Sequence, residues 1–236
     1  MKKTKILAVI GLRSGSKSLK DKNIKNLNGK PLFFYILKAA KKSKYINKIA
    51  VSTDSKKYES IVKKFGGDCP YDRPKKYSLN NSQEIFFIKD LLKKMKKYEN
   101  YIPDIVVRLL ATCPFQKTKD IDKAISLVLK NEYDSLAVIS KAKQHPEKAL
   151  KIIGKKKKYL TSYFGNSSLK VGSKLNRQQF TAAYFRANIL VCKKKVIDNY
   201  NSLTSKKPGF IIIPNQVDID TLEDFKFAKF KMLLKR

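Results

Sequence analysis

The chain has 236 residues, with 53 Lys+Arg against 19 Asp+Glu and a formal net charge of +34. Hydrophobic residues make up 42%, with 13 Phe and 12 Tyr, so the chain can bury a core and global disorder is excluded. With 9 Gly and 8 Pro it is neither collagen-like nor Gly/Pro-rich.

The length fits a single domain, read as 1–236 with an inserted arm near 145–185. Residues 1–118 hold 28 of the basic residues and 119–236 hold 25, so no basic tail stands out. Only six are Arg, leaving 47 Lys. Base-reading proteins favour the Arg fork. The even, Lys-dominated charge therefore reads as background, and nucleic acid is not the expected partner. Three separated cysteines, Cys69, Cys113 and Cys192, form neither a disulfide framework nor a zinc pattern and suit a reducing cytoplasm.

The opening MKKTKILAVIGLR is superficially leader-like. Its apolar run 6–12 is short, ends at Arg13 and lacks a small-residue cleavage site, so it reads as a first strand. No run approaches the ~18 apolar residues of a membrane span, and no membrane partner is expected. The continuous apolar run 6–10 predicts a strand buried on both faces. A polar loop, 13–28, follows. Helical spacing then predicts a helix over 31–42 with Pro31 in its first turn. Next come a strand at 49–51 and a helix running to Phe65, capped from Ser52-Thr53-Asp54 and stopped by Gly66-Gly67. A helix at 82–98, a strand at 104–110, a helix at 121–129 and a strand at 135–139 continue the alternation. The stretch 145–185 breaks it, being polar, basic and irregular. Strands at 189–192 and 210–213 and a helix at 222–234 close the chain. Repeated β-α-β units predict an α/β, Rossmann-like three-layer fold with a mostly parallel sheet. Ligands in such folds sit beyond the carboxyl ends of the strands.

The loop after the first strand, Arg13-Ser14-Gly15-Ser16-Lys17-Ser18-Leu19-Lys20-Asp21-Lys22-Asn23, combines small residues, hydroxyls and cations at such an end. Small residues let backbone N–H groups approach phosphate oxygens, and Arg13 and Lys17 supply countercharge. The loop matches neither a Walker A nor a GxGxxG pattern. Near the other terminus, Asp218, Asp220, Glu223 and Asp224 crowd into seven positions of an acid-poor chain. If that segment is extended, Asp218 and Asp220 share a face, and paired hard oxygen donors suit Mg²⁺. Asp220 or Thr221 also suits the start of the last helix.

The run AVIGLRSGSKSLKDKNIKNLNGKPLFFYILKAAKKS resembles the N-terminal signature of acylneuraminate cytidylyltransferases. Arg13, Ser16, Lys17, Lys22 and Asn23 fall on its motif positions. Val51-Ser52-Thr53-Asp54, Arg73-Pro74, Leu110-Ala111-Thr112-Cys113-Pro114 and His145-Pro146-Glu147-Lys148 follow in the same order. Arg177-Gln178 and Asp218-Ile219-Asp220-Thr221 complete the series. The resemblance implies a nucleotidyltransferase fold, usually a homodimer whose arm packs on its partner. It also implies Mg²⁺-assisted reaction of CTP with an acidic keto-sugar, giving CMP-sugar and pyrophosphate. Arg13 and Lys17 would hold the triphosphate; Ser16, Lys22 and Asn23 would line the nucleotide, with Arg73 contacting it from across the cleft. Asp218 and Asp220 would organise metal, phosphate and attacking hydroxyl. Lys148 and Arg177, with His145 and Gln178 beside them, would face the sugar. His145 is the sole histidine, and a place near the substrate arm is expected of it rather than general-base work.

Leu110 stands where family members using N-acetylneuraminate have Gln or Arg, so legionaminic-, pseudaminic- and octulosonic-type acids are open. Two alternatives also stand: transfer from another nucleotide or to a neutral sugar, and a basic nucleic-acid-binding protein on the same fold.

Overall fold

The computed structural model describes residues 3–16, 18–155, 157–164 and 181–234. Its centre is β1 (Ile6–Leu12), where Leu7, Ala8, Val9, Ile10 and Leu12 have no exposed surface. A strand covered on both faces must be apolar at every position, which is why this run shows no alternation. On one side β1 pairs in parallel with β4 (Lys48–Thr53), Leu12 opposite Thr53. On the other it pairs in parallel with β5 (Ile105–Leu109), Ile10 opposite Leu109. The chain thus moves from β1 to one side, then returns to the other, and the carboxyl ends of all three strands open at this switch point.

Between β1 and β4, Asn28 and Gly29 both adopt positive φ, 52° and 83°. They form the tight turn joining β2 (Asn26–Leu27) to β3 (Lys30–Pro31). That hairpin absorbs Pro31, so α1 covers Phe33–Lys41 rather than starting at the proline. Helix α2 (Lys56–Lys64) ends before Gly66-Gly67. Its N-cap is Ser55, whose Oγ accepts from Tyr58 N–H, and not the preceding Asp54. Helices α1 and α2 pack on β1 and β4, and α4 (Thr118–Leu129) packs on α1. Helix α3 (Glu84–Glu99) buries Ile85, Ile88, Leu91, Leu92 and Met95 along one face.

The six-stranded sheet has the order β10-β6-β9-β5-β1-β4. Its further members are β6 (Ser135–Lys141), β9 (Tyr184–Lys193) and β10 (Gly209–Ile212). β9 runs antiparallel to β5 and is longer than the 189–192 expected. Helix α5 (Lys194–Tyr200) follows it, and α6 (Leu222–Leu233) closes the described chain.

By contact density the chain divides into two units. One comprises Met1–Val138, Ala187–Ile211 and Gln216–Arg236; the other comprises Ile139–Arg186 and Ile212–Asn215. The second contains an antiparallel hairpin of β7 (Leu150–Ile153) and β8 (Tyr159–Ser162) within the stretch read as irregular. Two four-residue strands leave too little periodicity to be read from sequence. No helix among the described residues is long and apolar enough to cross a membrane.

Cys69, Cys113 and Cys192 are unpaired and buried. Burial pushes the thiols of Cys69 and Cys192 up to about 12, because a thiolate loses its hydration inside the core. A thiol reagent at mildly alkaline pH is therefore expected to find no fast-reacting cysteine in the native protein and all three after denaturation. Separately, Thr221 caps α6 in a capping box with Asp224. Thr221→Ala is expected to cost about 1 kcal/mol, lowering Tm by roughly 2–4 °C in a scanning calorimeter.

Candidate active site

At the carboxyl edge of β1, β4 and β5 lies a cleft of about 520 Å³. Its lining includes Arg13, Ser16, Lys22, Asn23, Arg73 and Asp220. Six side chains predicted from sequence, up to 207 residues apart in the chain, thus converge on one cavity.

The loop after β1 is held at several points. Ser14 donates its backbone N–H and its hydroxyl to the two carboxylate oxygens of Asp54, each at 2.9 Å. Asn23 is buried and donates from Nδ2 to the Arg13 carbonyl at 3.0 Å, so the loop's end is tied to its beginning. Asp21 takes a left-handed conformation, φ 55°, and accepts from Lys57 Nζ and the Tyr58 hydroxyl. Hydrogen bonds from Lys57 and then Tyr58 hold its carboxyl below the usual carboxylate range. Groups fixed before a ligand arrives need little reorganisation when it binds.

Arg73 is buried at 7% exposure. Its Nε donates to Ser52 Oγ at 3.0 Å and its Nη2 to the Ser52 carbonyl at 2.6 Å. Its guanidinium stacks 3.8 Å from the centre of the Phe87 ring. Burial lowers its pKa to about 10, against a favourable field from Asp54, so it remains a cation at neutral pH, partly stripped of water. Arg13 is held by a neutral group, donating to Asn80 Oδ1 at 3.1 Å. The cleft also contains Arg108, whose Nε lies 3.3 Å from Glu84 Oε2.

The segment 217–220 alternates as an extended chain should. Val217 and Ile219 are buried while Asp218 and Asp220 are exposed. Ile219 N–H donates to the Thr112 carbonyl at 3.0 Å, docking the segment beside the loop after β5. Lys22 Nζ lies 2.8 Å from Asp220 Oδ1, and the Ser18 hydroxyl donates to the Asp220 carbonyl at 2.6 Å. Thr221 caps α6, which leaves the Asp220 side chain to Lys22. Asp218 lies beside Cys113, whose thiol is raised by burial and by that carboxylate. No cluster of three or more His, Cys, Asp or Glu suited to a metal occurs among the described residues.

In the second unit, His145 and Lys148 line a separate cavity of about 650 Å³ with Lys141, Lys143, Tyr163 and Phe185. His145 Nδ1 accepts from Glu147 N–H at 3.3 Å, and Nε2 sits 2.8 Å from the Thr181 carbonyl. Both ring nitrogens thus engage backbone, and the ring caps the turn Pro146–Lys148. Lys17, Arg177 and Gln178 lie outside the described residues.

Several contributors had no site role assigned from the sequence, although Ser52 and Asp54 stood in a motif match. Asp54 was read as part of a helix cap, but it is drawn away to Ser14. Ser52 and Phe87 fix Arg73, and Glu84 pairs with Arg108. For Ser52 and Asp54 a signal existed: both end a parallel strand beside β1, where ligand-site residues gather. Phe87 gave no signal beyond its place on an amphipathic helix.

The sequence profile of the cytidylyltransferase family matches residues 7–230. The chain is similar to the post-translational flagellin modification protein B of Campylobacter coli, 29% identical over 96% of this chain and 94% of that protein. It is 37% identical to the CMP-N,N'-diacetyllegionaminic acid synthase of Legionella pneumophila subsp. pneumophila, over 52% of this chain and 53% of that one. In fold it is similar to a CMP:2-keto-3-deoxy-manno-octonic acid synthetase complexed with CTP. The TM-score is 0.71 at 16% identity, covering 99% of this chain and 100% of the other.

A Cβ added at Gly11 would lie 2.9 Å from Phe87 Cζ and 3.0 Å from Arg73 Nη2. Gly11→Ala is therefore expected to displace the Arg73–Phe87 stack. If Arg73 contacts the nucleotide, CTP affinity should fall about tenfold or more by isothermal titration calorimetry; an unchanged Kd would count against that contact.

Proposed function

The chain belongs to the cytidylyltransferase family, and from that premise we propose that it transfers CMP from CTP to an acidic ulosonic sugar, releasing pyrophosphate. The reading is carried by the convergence of Arg13, Lys22, Arg73 and Asp220 on one cleft at the switch point of a parallel sheet. That cleft offers a triphosphate fixed cations, a strapped loop of small residues and an adjacent carboxylate.

In the proposed reaction the sugar's anomeric hydroxyl attacks the α-phosphorus. A new O–P bond forms, the bond from the α-phosphorus to the bridging oxygen breaks, pyrophosphate departs, and the hydroxyl proton passes to solvent. Little covalent work falls to the protein, whose part is alignment and neutralisation of phosphate charge. Arg13 and Lys17 hold the triphosphate. Ser16 and Asn23 line the nucleotide, Lys22 contributes charge at the same loop, and the buried Arg73 contacts the nucleotide from across the cleft. His145, Lys148, Arg177 and Gln178 serve the sugar, with the cations on its carboxylate.

Asp218 and Asp220 are exposed on one side of an extended segment and offer only oxygen donors. Two such carboxylates with the triphosphate's own oxygens suit Mg²⁺, which takes few protein ligands and keeps several waters. That ion would supply neutralisation of phosphate charge.

Leu110 lines the cleft and offers no hydrogen bond, where N-acetylneuraminate users place a polar side chain. A site without that partner discriminates against a substrate that depends on it, which brings legionaminic-, pseudaminic- and octulosonic-type acids forward beside N-acetylneuraminate. The unpaired cysteines support a cytoplasmic setting. The arm supports a homodimer: Ile152 and Leu160 pair across the hairpin, and both are exposed, at 67% and 56%.

Pyrophosphate release from CTP, UTP, GTP and ATP against a panel of ulosonic acids, N-acetylneuraminate among them, is expected with CTP alone and one acid of the panel. Silence throughout would favour the nucleic-acid-binding alternative. Arg13→Ala and Lys17→Ala should each lower kcat a hundredfold or more, roughly the ~2.7–4 kcal/mol of a lost preorganised donor; activity within threefold of wild type would sink the triphosphate role. Asp218→Asn and Asp220→Asn should raise the Mg²⁺ requirement in a titration, and an unchanged requirement in both would remove them as ligands. Ile152→Lys with Leu160→Lys should convert a dimer to a monomer by multi-angle light scattering.

A further inference from the structure

Helix α6 is apolar on two opposite sides. Phe225 and Ala228, with Met232 partly buried beside them, pack against Leu19, Leu27, Leu32, Val217 and Ile219. At about 100° per residue, Phe227, Phe230 and Leu234 fall on the diametrically opposite side. These three are 54%, 56% and 70% exposed. Lys226 and Lys231 flank that stripe, and on the Lys226 side the exposed Leu222 and Leu233 fall between Lys226 and Lys229. The Lys231 ammonium rests 5.3 Å from the Phe115 ring centre and that of Lys229 5.7 Å from Phe225. Both ammonium groups rest on rings of the packed side of the helix, Phe225 being buried and Phe115 partly buried. Glu223 shares the outward face in the first turn.

Packing onto the core accounts for the inner side alone. An outward stripe of two Phe and a Leu gains nothing from the fold and marks a contact surface. Charge complementarity selects the partner. A second copy seated on this stripe would set the helix's own lysine rim against the same lysine rim at close range. An anionic bilayer reverses that sign: the lysines meet headgroup phosphates while the apolar stripe enters the acyl boundary.

We propose that α6 is an interfacial anchor that lays this protein on an anionic lipid surface. The contact lies along the surface and does not span it, since the helix has 12 residues, about 18 Å. The inference is independent of the nucleotide cleft.

The test is flotation at physiological salt with vesicles of equimolar phosphatidylethanolamine and phosphatidylglycerol, against vesicles of phosphatidylcholine alone. The wild-type chain is expected to partition about tenfold or more onto the anionic vesicles. The triple variant Phe227→Gln, Phe230→Gln, Leu234→Gln keeps the net charge and should fall to the phosphatidylcholine level, with unchanged Tm and CTP affinity. Phe210→Gln, at a residue 59% exposed elsewhere, should bind as wild type. Full binding by the triple variant would assign the attraction to bulk charge and overturn the proposal, as would no binding by the wild type. Subunit association lost in the triple variant would give the face to a second copy instead.

Discussion

Where the loop after β1 is held decides what the cleft offers, and two carboxylates from distant parts of the chain hold it. Asp54, at the end of β4, takes both donors of Ser14. Asp220, near the other end of the chain, takes Lys22 through its side chain and Ser18 through its carbonyl. A loop of small and cationic residues would otherwise sample many conformations, and its ordering entropy would fall on the binding step. Fixed in advance, it presents Arg13 and its neighbours to an incoming anion at little further cost. Parallel pairing of β1 with β4 brings Asp54 within reach of Ser14, so the sheet sets the geometry of the site.

The net charge of +34 contributes less to this site than its size suggests. Most lysines are solvated and screened within about 10 Å at ordinary ionic strength. What distinguishes the cleft is a cation placed where water is scarce. Arg73 is buried against Phe87 and fixed by Ser52, and its planar fork keeps its direction where a lysine would swing. In a chain so poor in arginine, two of the six line this edge with Arg108 a third. The general field still aids the approach of anions, whether a nucleotide, an acidic sugar or a lipid headgroup.

Each unit carries an outward apolar surface: the β7–β8 hairpin in one, and the outer side of α6 in the other. Both are interleaved with lysine, yet the hairpin is proposed to meet a second copy and the helix a bilayer. The hairpin exposes facing residues across two strands, such as Ile152 opposite Leu160, whereas α6 exposes apolar residues along one helix with lysines set among them.

The sequence alone determined much of this. The unbroken apolar run of β1 required burial on both faces, the strand–helix alternation required a mostly parallel sheet, and the motif residues Arg13, Ser16, Lys22, Asn23, Arg73 and Asp220 were legible at their positions. It could not show that Asp54 abandons a helix cap for Ser14, because a cap and a long-range acceptor use the same carboxylate and only the pairing of β1 with β4 decides between them. It could not show the start of α1, since an Asn-Gly turn captures Pro31 into a hairpin. Nor could it show that Phe87 stacks on Arg73 above Gly11, or that α6 has an apolar side left over. Period and composition report which residues prefer burial; which of them find a partner is set by non-local packing.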